Sequence, residues 1–84
     1  MPRPEIHFSR NADADYEFNP QAVEITIFNR RGRVIWRKVR DTQEPIRWAG
    51  RDMTGARLEV GSYTCKIRYP QLAQEVYYPF VFLG

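Results

Sequence analysis

Apolar and polar residues alternate with a period of two along much of the chain, which is the pattern of a β-strand that buries one face. In the segment 23–27, this alternation places Val23, Ile25 and Ile27 on one side. Similar reasoning predicts about seven short strands, over residues 5–10, 23–27, 33–39, 46–48, 58–60, 62–69 and 75–83. No segment shows a convincing helical period with capping residues. The pattern therefore predicts a chain built from strands.

Glycine and proline separate these segments at intervals of about ten residues, as in short strands joined by turns. Residues 29–32 read Asn-Arg-Arg-Gly, and this composition predicts a hairpin turn because it tolerates positive φ. Residues 11–15 form a polar loop and residues 18–20 another turn. Pro79 has no N–H to donate, so it favours an edge strand or a bulge.

These elements predict an all-β fold, an Ig-like or fibronectin-III-like antiparallel β-sandwich of about seven strands, with a small barrel as the alternative. The 84 residues suffice for one domain and not for two. We therefore treat residues 1–84 as a single domain. The predicted core consists of Val23, Ile25, Ile27, Val34, Trp36, Trp48, Leu58, Tyr63, Cys65, Ile67, Phe80 and Phe82.

Composition excludes several classes of protein. A hydrophobic fraction of 43% with 27% charged residues is ordinary for a globular domain and argues against disorder. No apolar run approaches the roughly 18 residues of a membrane span, and the N-terminus shows no apolar signal-peptide core. The net charge of +3 suits an acidic partner without requiring one.

The supply of chemically reactive side chains is small. The chain has one cysteine, Cys65, and one histidine, His7, too few for a zinc site of Cys and His ligands. Cys65 shares a strand face with Tyr63 and Ile67 and is expected to be a buried free thiol, while His7 is expected at an outward or edge position. A Cys–His nucleophilic pair is formally possible. We expect no catalytic residue, no cofactor and no enzyme activity.

One acidic cluster has the spacing of calcium ligands. Asp13, Asp15 and Glu17 alternate as in a calcium loop, but the glycine and the distant bidentate glutamate of such a loop are missing. A solvated loop is the expected structure, with an adventitious cation site as the alternative. No metal site is therefore predicted.

A basic cluster is the feature most suggestive of a partner. Its positively charged members and one tryptophan are Arg30, Arg31, Arg33, Trp36, Arg37, Lys38 and Arg40. A hairpin carrying cations and an aromatic ring could bind nucleic acid or another anionic polymer. The alternative is a solvated edge hairpin whose cations oppose aggregation, because strand alternation points these side chains to opposite faces.

The segment 48–63 carries a more specific pattern, W-x-G-R-D-x-x-G-x-x-L-x-x-G-x-Y. Its motif residues are Trp48, Gly50, Arg51, Asp52, Gly55, Leu58, Gly61 and Tyr63. This pattern resembles the Ig-like domain of flagellar hook-capping (FlgD-type) proteins. The hairpin over residues 27–36 is also similar to one in gliding-motility-associated C-terminal domains of type 9 secretion cargo. The resemblance covers somewhat over half the chain.

The resemblance implies a non-catalytic accessory module of a bacterial envelope, flagellar or secreted protein, acting in assembly, spacing or protein–protein interaction. Its partners would be another protein or neighbouring domains, and its location the cell envelope or the extracellular space. Such proteins are long and exported, so we expect this chain to be a module of a longer protein, with Met1 an artificial start. The family usually has Asp after the Trp, where this chain has Ala49.

The motif also has a physical interpretation of its own. Trp48 is expected to anchor the interior, and the glycines to permit turns. Asp52 can accept hydrogen bonds from backbone amides two residues on. Arg51 can lie across an aromatic ring or pair with a carboxylate. Tyr63, at the start of a strand, resembles the tyrosine corner of Ig-like sandwiches, whose hydroxyl ties a loop to the strand.

Overall fold

The computed structural model describes residues 16–70 and 75–83, and these contain six strands and no helix. The strands are β1 (Tyr16–Glu17), β2 (Glu24–Asn29), β3 (Val34–Val39), β4 (Arg47–Trp48), β5 (Gly61–Arg68) and β6 (Val76–Phe82). The strand predicted at 5–10, the loop at 11–15, His7, Asp13 and Asp15 lie outside the described residues. The all-β prediction is confirmed for the described part of the chain.

Four strands form an antiparallel sheet in the order β3-β2-β5-β6. Ile27 of β2 lies opposite Trp36 of β3 on one side and Cys65 of β5 on the other. The sheet continues from β5 to β6, where Pro79 lies opposite Thr64. Among the described strands β6 is the last in this order, so within this part of the chain Pro79 occupies an edge strand, as predicted.

The predicted hairpin turn joins β2 to β3. The Gly32 N–H donates to the Asn29 carbonyl at 2.9 Å, and the Asn29 N–H donates to the Arg33 carbonyl at 2.9 Å. Gly32 has φ of +80°, the left-handed conformation that glycine adopts without steric cost. This is a three-residue hairpin connection with a glycine bulge.

A two-stranded ribbon of β1 and β4 lies over one face of the four-stranded sheet. The Trp48 ring of β4 lies 6.0 Å from the Trp36 ring of β3 and 5.7 Å from the Phe80 ring of β6. The indole therefore contacts both outer strands of the sheet. The buried apolar residues are Phe18, Ala22, Ile25, Ile27, Ile46, Trp48, Cys65, Ile67, Phe80 and Phe82.

A β-bulge makes the core prediction for Val34 wrong. The β2–β3 register shifts between Ile27 and Phe28, so that Phe28 lies opposite Val34 and Ile35 is the extra residue. Ile35 then packs against the core beside Trp36, whereas Val34 is 48% exposed on the opposite face. Strict alternation had placed Val34 in the core. Val23 was also predicted in the core, but it precedes β2, is only partly buried and is not among the described residues packed against the core.

Other differences concern short elements. Residues 58–60 form no strand, although Leu58 still packs against the core. β1 was not predicted, and neither was the burial of Phe18, Ala22 and Ile46. The turn at 18–20 is present slightly later in the chain, because the Ala22 N–H donates to the Asn19 carbonyl at 3.0 Å.

Candidate interaction surface

The loop of the tryptophan motif is a tight turn built around Asp52. The Thr54 N–H and the Ala56 N–H both donate to Asp52 Oδ1, at 2.9 and 3.0 Å, and the Thr54 hydroxyl donates to the same oxygen at 2.6 Å. The first of these is the bond predicted for Asp52. The side-chain hydrogen bond from Thr54 is the largest cause that lowers the pKa of this carboxyl below its usual value. Burial opposes it, and the backbone donors of Ala56, Thr54 and Gly55 lower the pKa further.

Backbone carbonyls around this turn receive donors from the motif side chains. The Trp48 Nε1–H donates to the Arg51 carbonyl at 2.9 Å, and the Arg51 guanidinium donates to the Gly55 carbonyl at 2.9 Å. Arg51 thus has a backbone acceptor in place of the expected aromatic ring or carboxylate. Both bonds hold the turn in a fixed position next to the core.

Gly50 is the motif glycine with the tightest surroundings. Its φ is +74°, and a Cβ added there would lie 2.9 Å from Cε1 of Phe82. Both the backbone conformation and the packing therefore require glycine at this position.

The tyrosine of the motif ties the end of the loop to β5. The Tyr63 hydroxyl donates to the Glu59 carbonyl at 2.7 Å, which is the bond of a tyrosine corner. Its ring stacks on Phe80 with the ring centres 5.7 Å apart. Burial of the hydroxyl, and then the charge of Glu59, raises the pKa of Tyr63.

The same loop covers part of the outer edge of β3, which is the end strand of the sheet in the described part of the chain. The Met53 N–H donates to the Ile35 carbonyl at 2.9 Å, and the Arg37 N–H points to Met53 Sδ at 3.4 Å. Backbone groups at a sheet edge invite pairing with another chain. The loop therefore supplies partners for one donor and one acceptor of this edge.

The structure divides the predicted basic cluster. Arg37 pairs with Glu24 across β2 and β3 at 2.5 Å, and Lys38 lies 4.0 Å from Asp41. The Arg40 guanidinium donates to the Pro20 carbonyl. These three cations already have acceptors within the domain.

Trp36 is separated from the exposed cations. It is only partly exposed and packs against the core, with its ring 6.0 Å from Trp48. Arg30, Arg31 and Arg33 lie on the exposed hairpin turn, and among the described residues none of the three has a carboxylate within 4.0 Å. The cations available to a partner are therefore those of the turn.

A groove of about 590 Å³ runs between this hairpin turn and the Asp52 loop. Its charged lining consists of Arg30, Arg31, Arg57, Asp52 and Glu59. Its remaining lining includes Ile35, Leu58 and Tyr63. We call this feature the arginine groove.

Sequence reasoning missed Arg57 as a member of this surface. A usable signal was present, because Asn29-Arg30-Arg31-Gly32 and Asp52-Met53-Thr54-Gly55 share the same turn composition. The turns also share their backbone pattern, since the Asp52 N–H donates to the Ala56 carbonyl at 2.9 Å. Two such turns at one end of the domain bring Arg57 to the hairpin.

A second cavity of about 190 Å³ lies near the buried thiol. Tyr16, Phe18, Tyr69 and Tyr78 are among its lining residues, together with Cys65. Burial raises the pKa of the Cys65 thiol to about 12, and burial also raises the pKa of Tyr16 and Tyr69. A thiol that stays protonated is a poor nucleophile, so this cavity has no activated group at Cys65.

Three candidate features remain: the acidic cluster, a metal site and a membrane-spanning helix. Glu17, the described member of the acidic cluster, pairs with Arg47 at 3.2 Å. Within residues 16–70 and 75–83, no three His, Cys, Asp or Glu side chains are grouped as metal ligands. In the same ranges, no helix has the length and apolar character needed to cross a membrane.

Comparisons with known proteins give a match at the level of fold. No protein-family profile matches the chain, and no curated protein matches it by sequence. A similar solved structure is PorZ, described as an essential bacterial surface component of the type-IX secretion system of human oral-microbiomic Porphyromonas gingivalis. The match has a TM-score of 0.59 and 22% identity. It covers 76% of this chain and 9% of PorZ.

The match bears on the two resemblances seen in the sequence. It agrees with the part that pointed to type 9 secretion and gives no support to the flagellar hook-capping part. At 22% identity the likeness shows a shared fold. The chain corresponds to a small section of that long surface protein.

Proposed function

We propose that this chain is a non-catalytic β-sandwich module, Ig-like in fold, of a bacterial envelope or secreted protein related to type IX secretion. It acts in assembly, spacing or protein–protein interaction. The carrying observation is the fold match to a section of PorZ, which is itself a surface component of such a system. The module would be one domain of a longer chain.

Three features of the structure support this proposal. The two-stranded ribbon of β1 and β4 covers one face of the four-stranded sheet, the arrangement from which a sandwich is built. The only cysteine is buried and its pKa is raised to about 12, which removes the one candidate thiol nucleophile. The motif residues around Trp48 make contacts within the domain that hold the loop in place.

Fractionation of the source bacterium tests the proposal. An antibody raised against this chain should detect its parent protein in the envelope or extracellular fraction, and cross-linking there should join it to another protein. Detection only in the cytosol, with no cross-linked protein, would contradict both the location and the role. A cytosolic marker serves as the control for lysis.

A second candidate function is a basic binding domain for nucleic acid or another anionic polymer. The observation in its favour is the exposed turn with Arg30, Arg31 and Arg33, none of which pairs with a carboxylate of the described residues. The test is a salt-titrated binding assay with an oligonucleotide. Steep weakening with salt, and loss on replacing the three arginines by alanine, would favour this function over the first.

A further inference from the structure

We propose that the arginine groove binds an acidic segment of a partner protein. This proposal rests on the proposed function, because it specifies the surface and the chemistry of the protein contact. The groove lies between the β2–β3 hairpin turn and the Asp52 loop, and Arg30, Arg31 and Arg57 supply its positive charge.

The two turns are held in place from within. Asn29 Oδ1 accepts the Arg31 N–H at 2.9 Å and the Arg33 N–H at 3.0 Å. Asp52 Oδ1 accepts the corresponding N–H groups of its own loop. The arginines of the groove therefore extend from rigid backbone, which lowers the entropy lost when a partner binds.

The charge of the groove favours an anionic occupant. Asp52 and Glu59 are the two acidic residues that line the groove. Asp52 is the less available of the two to the groove arginines, because its Oδ1 already accepts hydrogen bonds from Thr54 and Ala56. Among the described residues, neither Arg30 nor Arg57 has a carboxylate within 4.0 Å. Guanidinium groups that are not paired with a carboxylate of the described residues can pair with the carboxylates of an acidic peptide.

The structure favours a protein segment over nucleic acid. Single-stranded nucleic acids bind through aromatic rings on which bases stack, but Trp36 packs against Trp48 in the core. The ring of Tyr63, the aromatic residue of the groove, is stacked on Phe80. A domain that binds duplex DNA usually carries a larger charge excess than +3. Apolar lining from Ile35 and Leu58 suits the side chains between the acids of a peptide.

A peptide-binding experiment with the full chain tests the groove. The probe is a fluorescent peptide of alternating glutamate and leucine, and its control replaces each glutamate by glutamine. The acidic peptide should bind at low salt and the glutamine peptide should bind at least about tenfold more weakly. Replacing Arg30, Arg31 and Arg57 together by alanine should weaken binding of the acidic peptide by about tenfold or more.

A matched variant separates the groove from general attraction between charges. Lys38, Arg47 and Arg68 are exposed and outside the groove, so replacing all three by alanine removes the same charge. This control variant should keep most of the affinity. Equal loss in the two variants, or no binding of the acidic peptide, would overturn the proposal, as would tighter binding of an oligonucleotide through the same arginines.

The proposal for the arginine groove can be wrong while the proposed function is right. If the groove variant forms the same cross-linked complex in the envelope as the parent chain, the module has a protein partner that uses another surface. If no complex forms and the chain is cytosolic, the proposed function itself is wrong. Thermal unfolding of both variants shows whether either substitution affects folding.

Discussion

Asn29 and Asp52 occupy equivalent positions in two turns that share the same hydrogen bonds from backbone N–H groups. Each side-chain Oδ1 accepts the backbone N–H groups two and four residues later, at 2.9 and 3.0 Å in both turns. Each turn also closes through the N–H of a glycine with positive φ, Gly32 or Gly55. The turns differ in two respects: the Thr54 hydroxyl donates to Asp52 Oδ1, where the Asn29 turn has Arg31, and Asp52 ionises whereas Asn29 does not.

The difference in ionisation predicts how stability depends on pH. Hydrogen bonds hold the pKa of Asp52 below its usual value, so its contribution to folding is present above about pH 4, the unfolded pKa. It is lost as the pH falls through the folded pKa. Asp52→Asn keeps the acceptor and removes the titration. The melting temperature of the parent should therefore fall more steeply below pH 4 than that of the variant.

Asn29→Asp is the reciprocal control. It places a carboxylate where Asn29 accepts the same backbone donors, so it should add a stabilising contribution that is lost in acid. Melting curves across the acid range check both variants. Parallel pH profiles for the parent and Asp52→Asn would show that the Asp52 hydrogen bonds do not distinguish the two protonation states.

The two turns also show what the sequence could predict. The Asn29 turn and strands β2, β3 and β5 were predictable because local composition and alternation determine them. The bulge at Ile35 was not, since nothing in the local pattern shows that one residue is skipped in pairing with β2. The exposure of Val34 follows from that bulge.

The short strand β1 escaped prediction for a different reason. It has two residues and pairs with β4, which was predicted at 46–48, across about thirty positions of sequence. This pairing depends on tertiary packing, which also buries Ile46. The motif residues were found from their pattern, whereas Arg57 joins the groove through the path of the loop.

Gly50→Ala should destabilise the fold more than Gly32→Ala. Both glycines have positive φ, but a Cβ at Gly50 would lie 2.9 Å from the buried Phe82 ring, whereas at Gly32 nothing lies within 4 Å. Holding an alanine at positive φ should cost about 1–2 kcal/mol of unfolding free energy at either position. Overpacking should add about 1–3 kcal/mol at Gly50. Denaturant unfolding measures the difference, and equal losses would mean that Phe82 moves away without cost.

Trp48→Ala should cost roughly 3–5 kcal/mol of unfolding free energy, as for other large core aromatics. Trp48 is 1% exposed and contacts Trp36 and Phe80. Trp36→Ala should cost less, because that ring is only partly buried. If the alanine variant does not fold, Trp48→Phe retains a ring and gives a measurable loss. An unchanged unfolding curve in either Trp48 variant would contradict a core role.

Tyr63→Phe should lower the free energy of unfolding by about 1 kcal/mol, the typical net contribution of one hydrogen bond. The variant keeps the ring on Phe80 and removes only the donor to the Glu59 carbonyl. Tyr77→Phe is the control, because Tyr77 is 58% exposed and its hydroxyl donates to Glu75, also an exposed residue. Chemical denaturation should separate the two variants. Similar small losses would indicate that water replaces the Tyr63 hydroxyl at the Glu59 carbonyl with no loss of unfolding free energy.

Cys65 should resist alkylation in the folded protein. Its side chain is buried and burial raises the pKa of the thiol to about 12, so thiolate is scarce near pH 8. Iodoacetamide should modify it slowly at that pH and rapidly in denaturant. Since the folded pKa exceeds the unfolded value, stability should also fall as the pH rises from about 9 towards 12. Cys65→Ala should reduce that fall, and rapid alkylation of the native chain would show that the thiol is accessible and ionised.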